Sequence, residues 1–168
     1  MTKSDATKAY SSKQENMIAS LLGWEVVSGS GAAACYPGDV ISDMWLGECK
    51  THVEPRHKIF FDRKVWEKIK SEAYVKHRRP VLFTDDGTQS SKHTWCLCLK
   101  NHLEMENAII SPIIKGVNKN ISFSGESQGI QAMKLHRTYD KLPVFICKWN
   151  DDEVIICELY VFAQMKGE

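Results

Sequence analysis

The chain has 168 residues, 43% of them hydrophobic and 26% charged, with a formal net charge of +1. That is the size and composition of one ordinary globular domain, which excludes a disordered chain and leaves little room for a second domain. No apolar run approaches the ~20 residues of a membrane span, and the polar start MTKSDATKAYSSKQ is unlike a secretory signal, so an intracellular (cytoplasmic) protein without a membrane partner is expected.

Residues 1–10 read as a flexible polar tail. Ser11 or Ser12, with Glu15 just beyond, offers a capping box for a helix whose stripe is Met17, Ile18, Leu21 and Leu22, ended by Gly23. WEVVS (24–28) predicts a short strand, followed by the small-residue loop GSGAAACYPGD. DVISDMW (39–45) and GECKTH (47–52) predict two strands joined by a turn near Leu46–Gly47. KIFF leads to Asp62, an N-cap for the helix 63–78, which Pro80 would close. PVLFTDD and HTWCLCLK are two strands around a polar turn, Gly87–Lys92. Asn101 and Glu104 suggest a second capping box, opening a helix in NHLEMENAI. NISFSG predicts a strand and SQGIQAMKLH a helix. LPVFICKW and EVIICELYVFA predict a C-terminal hairpin. The order implies an α/β (α+β) domain with a mixed sheet.

The charge is unevenly distributed. Between Lys50 and Arg79 ten Lys or Arg stand against four acids, a local net of +6. Either a polyanion-facing side or a solvated helix face accounts for this. Cys96 and Cys98 share a strand face, and Cys147 and Cys157 lie in apolar runs, which suits buried free thiols better than zinc.

Glu48 and Lys50 are two apart on one strand and point the same way, with Cys49 turned to the core. A tight turn would bring Asp39 opposite Glu48. Two carboxylates beside one ammonium repel each other unless a cation lies between them. Carboxylate oxygens and a backbone carbonyl, here that of Cys49, suit Mg2+, and Glu15 would bring a third carboxylate to the edge. Asp43, His52 and His57 are nearby candidates with ordinary surface readings. Trp66 is expected in the core, and Asp85–Asp86–Gly87 in a turn.

The series Glu15, Gly29-Ser30-Gly31, Pro37-Gly38-Asp39 and Glu48-Cys49-Lys50 resembles the PD-(D/E)XK nuclease superfamily. Within it, the similarity is to archaeal-type Holliday-junction resolvases and their phage-borne relatives. It covers residues 11–105, leaving 106–168 as a C-terminal extension, with its hairpin, on the same domain. The resemblance implies a restriction-endonuclease-like fold and a Mg2+-dependent endodeoxyribonuclease, with Mn2+ as a substitute and no small-molecule cofactor. It implies that Asp39 and Glu48 hold metal, that Glu15 holds metal or supports it, and that Lys50 is catalytic. Ser30 corresponds to a loop near the DNA phosphate. Arg56, Lys58, Arg63, Lys64 and Lys68 are the basic candidates for DNA contact. Branched DNA would be the substrate and a homodimer the matching assembly. A duplex-cutting restriction or recombination nuclease, or a non-catalytic DNA-binding module on the same fold, are the alternatives.

Overall fold

The computed structural model describes residues 2–28, 37–112 and 119–167. Helix α1 spans Lys3–Leu22, starting well before Ser11. Thr2 accepts from the Asp5 N–H while the Asp5 carboxylate accepts from the Thr2 N–H. This capping box lies upstream of the one expected. The first turns are solvated and need no apolar stripe, which is why residues 3–10 read as a tail. Gly23, at φ +70°, ends the helix as expected.

The next strands are β1 (Glu25–Val26), β2 (Val40–Ile41) and β3 (Trp45–Lys50). The β2–β3 turn falls at Ser42–Met44, where the Ser42 N–H donates to Trp45 O and the Ser42 hydroxyl accepts the Trp45 N–H. Leu46 and Gly47 are therefore inside a strand rather than at its turn. Strand β4 (Lys58–Phe61) precedes α2 (Arg63–Val75), whose N-cap is Asp62 as expected. The helix stops short of Pro80, with His77 at φ 53°. Pro80 lies in β5 (Arg79–Thr84), the strand expected from PVLFTDD, before the register with β6 (Trp95–Leu99) begins at Val81, so its missing N–H breaks no bond to β6.

The helix expected over NHLEMENAI shrinks to a 3-10 turn at Lys100–His102, and β7 (Ala108–Pro112) follows. Strand β8 (Ile121–Ser124), α3 (Gly125–Tyr139) and the hairpin β9 (Leu142–Trp149) and β10 (Asp152–Glu158) come next. LYVFA is not the end of a strand: it opens α4 (Leu159–Met165) and buries Leu159, Val161, Phe162 and Met165.

Eight strands form one mixed sheet in the order β1-β2-β3-β5-β6-β10-β9-β7, and β4 pairs with β8 alone. The hairpin is thus integral to the sheet through β10 and β6, not an appendage. Alternate residues feed two cores. One face takes Trp45, Cys49, Phe83, Cys96 and Cys98 against α1 and α4. The other takes Leu46, Leu82 and Leu97 against α2, β4 and β8. Phe162 of α4 packs on Trp24, Trp45 and Phe83 at centroid distances of 6.0, 5.0 and 5.7 Å. This packing joins the last helix to the first half of the chain in one core. The five cysteines among the described residues are all free and buried. No described helix is long and apolar enough to cross a membrane.

Candidate active site

Parallel pairing of β3 with β5 aligns their C-terminal ends, and the polar residues gather there. Gly47 allows β3 to lie close, since a Cβ would meet Val40 Cγ2 and a Phe83 ring carbon at 2.7 Å. Glu48 and Lys50 share the α2 side of β3, while Cys49 enters the opposite core, as the alternation requires. Asp39, one residue before β2, is fixed at both ends. Its N–H donates to Gly47 O at 2.8 Å, and its Oδ2 accepts the Cys49 N–H at 2.8 Å. Gly38 turns the chain there at φ +74°, where a Cβ would come within 2.8 Å of the Leu46 side chain. The expected juxtaposition of Asp39 and Glu48 is therefore built from hydrogen bonds.

Glu48 is 5% exposed. Its Oε1 accepts from Lys50 Nζ at 2.6 Å, and its Oε2 lies 3.6 Å from Lys68 Nζ of α2. Burial, then the Glu48 charge, pushes the Asp39 carboxyl above its ordinary range, against the Cys49 N–H and the two lysines. Glu15, half-buried on α1, is raised by burial and by the charges of Asp39 and Glu48. The three carboxylates are thus close enough to repel. Burial works against the Lys50 ammonium, but Glu48 and Asp39 outweigh it and hold it protonated above its usual range.

Behind this cluster lies a polar network that sequence reasoning missed. Gln14 is fully buried on α1. Its Nε2 donates to Lys50 O at 2.8 Å and to Asp85 Oδ2 at 3.1 Å. Asp85 Oδ1 accepts from Thr51 Oγ1 and from the Gly87 N–H, so the expected Asp85–Gly87 turn is also an anchor for β3. Burial raises the Asp85 carboxyl, while its bonds from Thr51 and Gly87 oppose that shift. A polar residue next to Glu15, on a face otherwise carrying Ile18 and Leu22, is the one signal that marked Gln14.

The basic candidates divide. Lys68 joins Glu48 and also Glu72, at 3.6 Å each. Lys64 and Lys58 are exposed, Arg63 is half-buried, and Arg56 lies on the loop before β4. Lys70, in contrast, is tied to Glu67 and Asp152. Trp66 is a core residue, 1% exposed, whose Nε1 donates to Asp152. Asp43 is exposed in the β2–β3 turn, away from the carboxylates. His52 is half-buried, and burial and then Arg56 lower its pKa. His57 is exposed. Gly29, Ser30, Gly31 and Cys35 lie outside the described residues.

Among the described residues, no three His, Cys, Asp or Glu side chains are drawn together as a ready-made metal cage. The donor chemistry nevertheless suits a hard cation. Asp39 and Glu48 are hard oxygen donors whose mutual repulsion a cation would relieve. The Cys49 carbonyl lies on the same flank of β3 as its N–H, toward Asp39 and away from β5. Compared with family models, curated proteins and solved structures, the chain matches none.

Proposed function

We propose that the protein is a Mg2+-dependent endodeoxyribonuclease of the PD-(D/E)XK kind, with a restriction-endonuclease-like core, acting on branched DNA such as Holliday junctions as a homodimer. The observation that carries this reading is the placement of Asp39 and Glu48 beside Lys50 at one end of a parallel strand pair, with Glu15 of α1 near enough to feel both charges. Asp39 and Glu48, with the Cys49 carbonyl, would hold the cation, and Glu15 would support it. A divalent cation there supplies Lewis acidity toward the scissile phosphate and the attacking water.

The chain's own groups do the rest. Lys50, kept cationic by Glu48, sits where negative charge builds on the phosphate oxygens in the transition state. Lys68 adds a second positive charge from α2, beside Glu48. Lys64, Arg63, Lys58 and Arg56 extend the positive surface along the phosphate backbone, a form of contact that positions DNA without reading its sequence. Two symmetric incisions of a four-way junction call for a two-fold enzyme.

The test is cleavage of labelled four-way junction, flap, linear duplex and single strand in parallel. Junction cleavage is expected with Mg2+ or Mn2+ and not with Ca2+, which prefers more ligands at longer distance. Full activity in excess chelator, or no cleavage of any substrate with either metal, would overturn the reading. Preference for linear duplex would replace the junction by ordinary DNA.

A further inference from the structure

Away from the carboxylates, a cavity of about 610 Å3 opens between β4, the start of α3, the loop after β5 and the end of β10. Gly125 and Gly129 lie one turn apart on the face of α3 that lines it. A Cβ at Gly125 would stand 3.0 Å from Ile59 Cγ1 and 3.7 Å from Trp95 Nε1, and one at Gly129 would stand 3.3 Å from Glu158 Oε1. The two glycines thus let α3 lie close to the Trp95 indole and the Glu158 carboxylate, and both of those residues line the cavity.

Trp95 is 2% exposed, and its indole N–H has no hydrogen-bond partner among the described residues. The indole nitrogen is not sealed in the core but opens on the cavity, where water or a ligand can accept its hydrogen bond. The Glu158 carboxylate likewise makes no hydrogen bond or ion pair among the described residues. Burial pushes its carboxyl up to about 7, against the pull of His93. Ile59, Ile130, Met133 and Tyr160 supply apolar wall.

The alternatives fit poorly. Glu126 and Glu158 both line the cavity and disfavour a bare anion. A metal ion gains nothing from a donor-only indole, and two of the imidazoles are engaged: His93 Nδ1 with Asp86 at 2.7 Å and His136 Nδ1 with Lys141 O at 2.9 Å. A hydrocarbon chain would leave the indole and the carboxyl unpaired. A flat nitrogen heterocycle bearing both an acceptor and an N–H satisfies the two while its faces meet the apolar walls. Exposed Arg56 and Lys92 stand at the rim, without an ion pair among the described residues.

We propose that this cavity is a nucleobase-binding site, in which Trp95 donates to and Glu158 bonds the edge of a purine or pyrimidine ring, with Arg56 and Lys92 placed for its phosphate. The ring belongs to a free nucleotide or to an unpaired base of a single strand. Nothing in this assignment requires cleavage, so the two proposals fail separately.

The test uses the whole protein in excess chelator, with equilibrium dialysis of AMP, GMP, CMP and UMP, of ribose 5-phosphate, and of a short single-stranded oligonucleotide. Saturable binding of at least one monophosphate, with Kd between about 1 µM and 1 mM, and none of ribose 5-phosphate, is expected if the source is a free nucleotide. Binding of the oligonucleotide alone assigns the source to an unpaired base. Gly129→Leu fills the cavity from a helix in which Leu is the better helix former, and Glu158→Gln alters the edge-recognising group. Glu158→Gln should weaken binding roughly tenfold or more, the loss of about one charge-assisted hydrogen bond, and Gly129→Leu should do so to a similar extent by occlusion. The proposal is overturned if no probe binds, if ribose 5-phosphate binds as well as the nucleotides, or if both variants, folded by circular dichroism, bind like the parent.

Discussion

Asp39 Oδ2 accepts the backbone N–H of Cys49 at 2.8 Å, so the carboxylate that precedes β2 is stapled to the strand between Glu48 and Lys50. The bond fixes where Asp39 stands, while burial and Glu48 make its charge unfavourable. Function and stability should therefore separate in Asp39→Asn, whose amide oxygen still accepts from Cys49. Cleavage should fall about 100-fold or more. In chelator the melting temperature should hold or rise, by about 2–4 °C for each kcal/mol of repulsion relieved. Glu48→Gln and Lys50→Ala should also abolish cleavage while DNA binding survives, and Glu15→Gln should impair it. A melting temperature that falls while cleavage persists would make Asp39 a purely structural residue.

Lys64 and Lys68 lie four apart on α2, yet only Lys68 reaches Glu48. Lys64→Ala should lower DNA affinity alone, whereas Lys68→Ala should lower affinity and single-turnover cleavage together. Removing one phosphate-binding side chain should reduce the slope of log K against log salt by about one unit, alike for junctions of unrelated sequence. Gel-shift titrations over a salt series, followed by single-turnover cleavage, separate the two. Identical behaviour of both variants would remove Lys68 from the site.

Gln14 touches none of the proposed reacting groups directly; it positions Lys50 through its backbone carbonyl. Gln14→Leu leaves buried Asp85 short of a donor, a cost of about 1–3 kcal/mol. Cleavage should drop through kcat with KM little changed, because the displaced element is the end of β3 and not the DNA-facing surface. An unchanged kcat in a destabilised variant would confine Gln14 to the core.

Glu158 governs a pH dependence distant from the carboxylate cluster. Its carboxyl lies near 7 in the folded chain against an ordinary 4.5, because burial disfavours the anion. The folded state holds this proton more tightly than the unfolded one. The stability it contributes is complete below about 4.5 and is lost as pH rises through about 7. Relative to the parent, Glu158→Gln should gain stability progressively across that window, with His93, Tyr160 and Glu126 as the neighbouring titrating groups. Urea unfolding at several pH values reads this directly, and a constant difference from pH 4 to pH 8 would refute it.

Local chemistry in the sequence determined much of this protein. Asp62 and the 3.6-residue spacing of Trp66, Ile69 and Ala73 specify α2. The two-residue period of β3 by itself sends Glu48 and Lys50 to one face and Cys49 to the other. Both patterns act over a turn or a pleat, so they survive without knowledge of neighbours. The Asp39–Glu48 juxtaposition was legible because the hairpin joining them is short.

What tertiary structure alone decided involves partners far apart along the chain. Gln14 finds its role through Lys50 and Asp85, and Lys68 through Glu48 on a strand across a helix crossover. Ala108–Pro112, which carried no strand signal of its own, becomes a strand because β9 offers it a parallel partner. LYVFA, apolar enough for a strand, turns into α4 because Phe162 must fill the space among Trp24, Trp45 and Phe83. An apolar run states only that it will be buried. Whether it is buried as a helix or a strand depends on the shape of the surface that receives it, and that surface is assembled from both ends of the chain.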